Sequence, residues 1–182
     1  MHKNMNINIR LATSDDYEAI AKLSVATWQE SYQSVFPSDL LDSLSWKQRA
    51  LDRKTFFNDP QRNSLVAELE QRLVGFGDFG PARTEENISD IDSSFAELYA
   101  IYMLDKYKGH GIGKLIFSEI QKHLTKQGFK NLIVWTLANN DLAIKFYQNI
   151  GFNKTTWHKQ TKVGDIYYTE IALFKAINGP GI

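Results

Sequence analysis

Three closely spaced glycines give the clearest chemical signal in this sequence. The segment KGHGIG, residues 108–113, lies between a predicted strand, residues 97–103, and a predicted helix, residues 114–127. Glycine lets the backbone turn tightly and leaves its N–H groups uncovered. The first turn of a helix adds unpaired N–H groups and a partial positive charge. The segment therefore predicts a socket for the phosphate oxygens of a ligand.

Two common phosphate-binding motifs do not fit this segment. A Walker loop needs Gly-x4-Gly-Lys-Ser/Thr, but Lys108 occupies the place of its first glycine and Leu115 that of its hydroxyl. The dinucleotide fingerprint Gly-x-Gly-x-x-Gly puts its third glycine on Lys114 or on Ile116. The sequence therefore disfavours both an NTPase and a Rossmann-type dinucleotide site.

A third pattern fits, together with a second segment further along the chain. Lys108-x-x-Gly111-x-Gly113 matches Gln/Arg-x-x-Gly-x-Gly/Ala, although lysine lacks the planar fork of arginine. Residues 140–152, NDLAIKFYQNIGF, match Asn-x-x-Ala-x-x-Phe/Tyr-Tyr-x-x-x-Gly-Phe, and the spacing leaves room for one helix and one strand. In this order the two segments resemble the GNAT superfamily of acetyl-CoA-dependent N-acetyltransferases. The resemblance covers most of residues 7–174.

The resemblance implies an acyltransferase that moves an acetyl group from acetyl-CoA, its co-substrate, directly to an amine in a ternary complex. The expected acceptor is a primary amine on a small molecule or a peptide. Two alternatives stay open: a CoA-binding sensor of the same fold without turnover, and a relative that carries a longer acyl group. The histidines have no metal-ligand spacing, so no metal is expected.

Amine acetylation needs a base, donors for the carbonyl oxygen and an acid around one carbon atom. Glu97 lies eleven residues before Lys108 and is the predicted base. Its position looks like that of the catalytic glutamate in the histone-acetyltransferase branch of the family. A water would relay the proton, because the ordinary glutamate pKa of about 4.3 lies far below that of an amine. The alternative is a strand-end carboxylate that is only solvated or salt-bridged.

Tyr147 is the predicted acid for the leaving thiolate, since a phenol with a pKa near 10 can protonate a group of similar basicity. In the family the matching tyrosine faces the CoA sulfur; the alternative is a core tyrosine beside Phe146. Asn140 lies seven residues earlier, on nearly the same helical face. It is expected to hydrogen-bond the pantetheine arm, to cap its helix, or both.

The remaining cofactor contacts follow from the resemblance. Ile101, Tyr102 and Met103 are expected to act through backbone groups that a splay between parallel strands leaves free for pantetheine. Ala143 belongs to the later motif. The phosphate socket comprises the loop and the start of its helix, namely Lys108, Gly109, His110, Gly111, Ile112, Gly113 and Lys114. The alternative to a phosphate contact for Lys114 is a solvated lysine on the helix. The alternative for His110 is a residue that only fills the loop.

Aromatic residues on the first predicted helices indicate the acceptor pocket. Trp28 and Tyr32, with Phe36, could pack the stem of an amine or the face of a cation. A core stripe at helical spacing is the alternative. An acidic loop could attract a cationic acceptor; the alternative is a run of charges that is only solvated. Its residues are Glu85, Glu86, Asp90 and Asp92.

Composition limits the other function classes. The chain has 182 residues, zero formal net charge and no cysteine. The absence of a long basic run argues against a nucleic-acid partner, and no apolar run approaches a membrane span. Without an apolar stretch after the start, no signal peptide is expected. A chain without disulfides fits the cytoplasm. Dimers are common in proteins of this type, so a homodimer is a further hypothesis.

The order of predicted elements gives an α/β sandwich with helices around a mixed, mostly antiparallel central sheet of about six to seven strands. One domain is expected over residues 1–182, with its core at about 7–174 and a tail at 175–182 that is disordered from 178. The predicted strands are 7–11, 64–69, 73–79, 98–103, 132–137, 152–158 and 166–174, and a tight turn near Glu70 and Gln71 is expected to join the second to the third. The predicted helices follow residue 13 and residue 37 and cover 46–57, 114–127 and 141–150.

Overall fold

The computed structural model describes residues 6–83, 88 and 90–177. Its strands are β1 (Ile7–Leu11), β2 (Asn63–Leu69), β3 (Arg72–Pro81), β4 (Phe95–Met103), β5 (Asn131–Leu137), β6 (Asn153–Val163) and β7 (Ile166–Ala176). Its helices are α1 (Tyr17–Ser31), α2 (Ser38–Asp42), α3 (Trp46–Phe57), α4 (Ile112–Lys126) and α5 (Asp141–Asn149), with short 3-10 turns at Ser14–Asp16 and Asp105–Tyr107. The predicted disordered tail from residue 178, and Glu85 and Glu86 of the acidic loop, lie outside the described residues.

The strands form one seven-stranded sheet in the order β1-β2-β3-β4-β5-β7-β6. β4 and β5 are parallel over Phe95–Leu98 and Asn131–Val134. β1 with β2, β5 with β7 and β6 with β7 are antiparallel. The predicted mixed sheet of six to seven strands with flanking helices is therefore confirmed.

Local sequence explains the tightest connection of the sheet. Glu70 and Gln71, between β2 and β3, both have positive φ, of 50° and 63°. Two left-handed residues are what a two-residue hairpin turn requires, because this turn matches the twist of the flanking strands. The turn predicted at these two residues is thus confirmed, although neither is a glycine or an asparagine.

Several element ends differ from the prediction. β4 begins at Phe95, α4 at Ile112, and β6 continues to Val163 instead of ending at His158. The last part of β6 alternates between exposed and half-buried side chains that are mostly polar, so it carries little hydrophobic signal. Its pairing with β7, which resumes at His158 after a register shift, keeps it extended.

The first compact unit comprises Met1–Asp78 and Ala100–Ile120. Its core includes a cluster of Ile20, Leu23, Val66 and Phe76, against which Tyr102 packs. Two glycines of β3 let α4 approach closely: a Cβ added at Gly77 would lie 2.7 Å from Ile120 Cδ1, and one at Gly75 would lie 3.2 Å from Ile116 Cδ1. Any larger residue there would have to push the helix away from the strand.

The second compact unit comprises Phe79–Tyr99 and Gln121–Ile182. Its core includes a cluster of buried apolar side chains: Ile88, Ile91, Phe95, Ile133, Trp135 and Ala172. Alternate residues of β5 supply part of this cluster, and the whole strand after Asn131 is buried. A strand buried on both faces reads as a continuous apolar run, as β5 does. The single-domain organisation stays a prediction.

Candidate active site

The glycine segment forms a tight turn that leads into α4. Gly109 and Gly111 have φ of 79° and 80°, in the left-handed region that favours glycine. A Cβ added at either residue would meet nothing within 4 Å, so backbone conformation and not space demands glycine here. Leu115 N–H donates to Gly111 O at 3.1 Å, which opens the helix. Gly113 and Lys114 therefore lie in the first helical turn, where backbone N–H groups lack helical partners.

Side-chain contacts hold the start of this segment against α1. Lys108 Nζ donates to Ser31 Oγ at 2.9 Å and pairs with the Asp105 carboxylate. The backbone N–H of Asp105 donates to Glu30 Oε2 at 3.0 Å. His110 Nδ1 lies 2.9 Å from the carbonyl oxygen of Lys108. The charge of Lys108 thus lies at the base of the loop, and His110 stays close to its own backbone.

Tyr102 contributes its side chain as well as its backbone to this unit. Its ring lies 5.6 Å from that of Phe76. Burial raises the pKa of the Tyr102 hydroxyl, whereas the neighbouring polar groups of Trp28 and Tyr32 and the charge of Arg49 lower it. From the sequence, Tyr102 is expected to act through its backbone, with an ordinary strand side chain. The structure brings its hydroxyl to the predicted acceptor aromatics.

Trp28, Tyr32 and Phe36 form the aromatic cluster that the sequence predicts. Their ring centroids are 5.1 Å apart for Trp28–Tyr32, 5.4 Å for Trp28–Phe36 and 5.2 Å for Tyr32–Phe36. Phe36 is buried, which is the core alternative, while Trp28 and Tyr32 are half-buried. The indole N–H of Trp28 is buried and makes no hydrogen bond. The guanidinium of Arg49 stacks 4.6 Å above the Trp28 ring.

A buried ion pair that the sequence analysis missed lies in the same unit. Arg53 binds Asp78 with Nη1 and Nη2, each at 2.6 Å from a carboxylate oxygen. Ser64 also donates to Asp78. The available signal was the aspartate itself, because it interrupts the otherwise apolar segment LVGFGDFG of β3. A buried carboxylate needs a cation, and α3 supplies one.

In the second unit Glu97 is fully buried and bound to Arg83. The backbone N–H of Arg83 donates to Glu97 Oε2 at 3.1 Å, and its Nε lies 3.2 and 3.1 Å from Oε1 and Oε2. Nη2 donates to Oε1 as well. These hydrogen bonds raise the pKa of the Arg83 guanidinium. Both carboxylate oxygens of Glu97 are hydrogen-bonded to Arg83. This arrangement matches the alternative in which Glu97 is a salt-bridged carboxylate.

The later motif forms α5 with the predicted cap. Asn140 Oδ1 accepts the backbone N–H of Ala143 at 3.1 Å, so the capping prediction is confirmed. Tyr147 is 7% exposed, with its ring 5.5 Å from Phe146 and 5.8 Å from Phe152. The ring therefore packs in the core of this unit. The role of Tyr147 as an acid stays a prediction.

The described residues contain neither a candidate metal site nor a helix that could cross a membrane. Among them no group of three or more His, Cys, Asp or Glu side chains is placed to hold a metal ion. In the same part of the chain, no helix combines the length and the apolar character needed to cross a membrane.

Comparisons with known proteins agree with this arrangement. The sequence model of the acetyltransferase (GNAT) family matches residues 20–152. An uncharacterized N-acetyltransferase of Bacillus subtilis, YuaI, is 33% identical over 150 residues, 78% of each chain. The spermidine N(1)-acetyltransferase of Thermoplasma acidophilum is 23% identical and covers 81% of this chain and 89% of its own.

Solved structures show the same fold. The PaiA N-acetyltransferase of Thermoplasma acidophilum, in complex with coenzyme A, superposes with a TM-score of 0.68 at 21% identity over 91% of this chain and 98% of that one. A ribosomal-protein-alanine N-acetyltransferase of Brucella melitensis gives a TM-score of 0.70 at 22% identity over 93% and 99%. At these identities the likeness establishes the fold alone.

Proposed function

The chain belongs to the GNAT acetyltransferase family, and from this premise we propose that it transfers an acetyl group from acetyl-CoA directly to a primary amine of a small molecule or a peptide. The observation that carries the proposal is the left-handed turn at Gly109 and Gly111 leading into α4. Such a turn leaves backbone N–H groups open to phosphate oxygens. Family membership favours turnover over a sensor that only binds CoA.

The pyrophosphate of CoA binds the segment from Lys108 to Lys114 in this proposal. The unpaired N–H groups of the first α4 turn and the helix dipole stabilise negative charge there. Lys108 adds a positive charge close by, and its contacts with Asp105 and Ser31 fix the loop to α1. The pantetheine arm is assigned to backbone groups of Ile101, Tyr102 and Met103 and to the motif that carries Asn140 and Ala143.

Glu97 is proposed as the base that takes the proton of the amine through a water. The observed pair adds a condition: one oxygen of Glu97 has to leave Arg83 before it can accept a proton, because both oxygens are already hydrogen-bonded. Arg83 is half exposed, so its side chain has room to move. Arg83 is thereby a positioning residue for the base.

Tyr147 is proposed as the acid. As the tetrahedral intermediate collapses, the C–S bond breaks and the phenol donates its proton to the thiolate. Its position on α5 is supported by the cap at Asn140, which fixes the start of the helix. Packing against Phe146 and Phe152 restricts the ring to few rotamers and so preorganises the donor.

Trp28 and Tyr32 are proposed to line the acceptor site. Their support is the exposed part of the aromatic cluster and the nearby hydroxyl of Tyr102. A cytoplasmic location is also proposed, because a chain without cysteine fits a reducing compartment. A homodimer is a further prediction, which light scattering of the purified protein would test.

The experiment is calorimetric titration with acetyl-CoA, followed in the same preparation by free-thiol release across a panel of amines. Saturable binding and thiol release with one acceptor class are expected. Binding without release from any amine would favour the sensor. Absence of binding would mean that the glycine segment is not a phosphate socket, and the proposed function would be rejected.

A further inference from the structure

A charged cavity lies beside the aromatic cluster in the first unit. It has a volume of about 560 Å³ and lies between α1, α3, β3 and the segment before β2. Its charged and hydrogen-bonding lining includes Ser24, Arg49, Asp52, Arg53, Arg62 and Asp78. Three arginines and two aspartates give these lining residues one positive charge in excess. Whether this lining favours a negatively charged ligand group therefore depends on which of the arginines already have a carboxylate partner.

Two of the three arginines are already neutralised. Arg53 forms the bidentate pair with Asp78, and Arg62 Nε lies 3.2 Å from Asp59 Oδ2. Their positive charges are balanced by protein carboxylates and need no ligand.

Arg49 differs from both. Among the described residues, its guanidinium makes a single side-chain hydrogen bond, from Nη1 to Ser24 Oγ at 2.7 Å, and no ion pair within 4.0 Å. Asp52 is close enough to interact electrostatically but accepts its hydrogen bond from Gln48 at 3.0 Å. Burial lowers the pKa of the Arg49 guanidinium, since a desolvated charge without a counter-ion is unfavourable.

The position of Arg49 connects the cavity with the predicted acceptor residues. Its guanidinium lies 4.6 Å over the Trp28 ring, and its charge acts on the Tyr102 hydroxyl. Trp28 adds a buried indole N–H that makes no hydrogen bond. Donors thus converge around Arg49, while the buried carboxylate of the lining, Asp78, is held by Arg53 and Ser64.

We propose that this cavity binds a carboxylate of the acceptor, with Arg49 as its counter-ion, so that the acceptor is an amine that also carries a carboxylate. A planar guanidinium forms two parallel hydrogen bonds with a carboxylate, which a lysine cannot do. This inference rests on the proposed acetyl transfer to an amine. It separates this chain from polyamine acceptors, the substrates named for two relatives, because spermidine and spermine carry no negative charge.

The test compares acceptors that carry a carboxylate with matched acceptors that do not. Free amino acids and their carboxamides, with spermidine as a third type, are assayed for thiol release from acetyl-CoA. We expect kcat/KM to be at least about ten-fold higher for a carboxylate acceptor than for its carboxamide, the difference expected of one added ionic hydrogen bond. Spermidine is expected to react poorly. Equal rates for both members of every pair, or a preference for spermidine, would overturn the inference and leave the proposed acetyl transfer standing.

Variants assign the effect to Arg49. Arg49→Gln is expected to raise KM for the carboxylate acceptor by about ten-fold or more and to abolish the preference over the carboxamide. Arg49→Lys, which keeps the charge but not the fork, should restore part of it. Lys47→Gln removes an exposed charge from the same helix and serves as the matched control, with unchanged KM. An Arg49→Gln variant that keeps the wild-type preference would contradict the proposal.

A second readout does not depend on turnover. Succinate and the uncharged succinamide are added at equal ionic strength, and thermal unfolding is followed for wild type, Arg49→Gln and Lys47→Gln. Succinate should raise Tm of wild type and of the Lys47 variant but not of the Arg49 variant. If succinate stabilises all three equally or none of them, the carboxylate site does not exist. If succinate binds as expected while no amine releases thiol, the cavity assignment stands and the proposed function fails.

Discussion

At the scale of single residues, Glu97 combines no exposed surface with two oxygens already occupied by Arg83. A base in this state acts only when the pair opens, whereas a purely structural carboxylate stays closed. Glutamine keeps the size of the side chain but removes its negative charge. It should therefore lower the rate if Glu97 is the base, and only the stability if Glu97 is a structural carboxylate.

We expect Glu97→Gln to lower kcat by about 10²–10⁴-fold, the usual contribution of a general base, and to leave acetyl-CoA affinity unchanged. Initial rates and calorimetry of the purified variant test this. Glu68→Gln is a matched control, because Glu68 is also a strand glutamate paired with an arginine, Arg10, at 2.6 Å. Wild-type kcat in the Glu97 variant, with only reduced stability, would assign the residue to the salt-bridged alternative.

At the scale of elements, the turn before α4 depends on backbone conformation. Gly111 has φ of 80° and open space around it, and Gly128, after the end of α4, has φ of 91° and equally open space. A side chain at either position costs about 1–2 kcal/mol of stability, since L-residues disfavour the left-handed region. Substituting either glycine therefore introduces the same backbone strain, once beside the predicted phosphate socket and once away from it.

Gly111→Val should weaken acetyl-CoA binding by at least about ten-fold, because its side chain would occupy the space assigned to phosphate. Gly128→Val should lose similar stability and keep the affinity of wild type. Calorimetric titration of both variants with acetyl-CoA measures the two affinities. Equal affinities in the two variants would remove the pyrophosphate from this loop.

The connection from β1 to α1 predicts how stability responds to acid. Asp16 accepts from Arg10 at 2.7 and 2.8 Å and from the Thr13 N–H at 2.7 Å. The hydrogen bonds from Arg10 hold the pKa of Asp16 below its ordinary value of 3.8. A depressed pKa contributes stability that is complete above 3.8 and disappears as pH falls through the lower folded-state value.

We therefore expect the free energy of unfolding to fall as pH drops below 3.8, and Asp16→Asn to flatten this part of the curve. Urea unfolding at a series of acidic pH values measures the free energy of unfolding of wild type and of the variant. The variant should also be less stable than wild type at neutral pH, where the ion pair is intact. A slope identical to that of wild type would show that Asp16 does not contribute to acid unfolding.

At the scale of the whole molecule, the chain contains no cysteine. An acyl-cysteine intermediate is therefore impossible, and direct transfer requires acetyl-CoA and amine to be bound at the same time. Initial rates at several fixed amine concentrations should give double-reciprocal lines that intersect. Parallel lines, the pattern of a ping-pong reaction, would require a covalent intermediate on another residue and contradict direct transfer.

Local signals in the sequence determined much of this protein. The glycine turn, the hairpin at Glu70 and Gln71 and the cap at Asn140 each depend on residues a few positions apart, so the sequence alone predicts them. The order of strands and helices then indicates the sheet, and the two motifs indicate the family. The end of β6 could not be predicted, because its polar residues are kept extended by pairing with β7.

Only the tertiary structure decided which charges meet. Arg83 and Glu97 lie 14 residues apart and Arg53 and Asp78 lie 25 apart, and nothing in the spacing of a charged residue names its partner. The hydroxyl of Tyr102 likewise reaches Trp28 and Tyr32 only because β4 packs beneath α1. Local backbone preferences are written in short stretches of sequence, whereas the pairing of buried polar groups depends on folding that brings distant segments together.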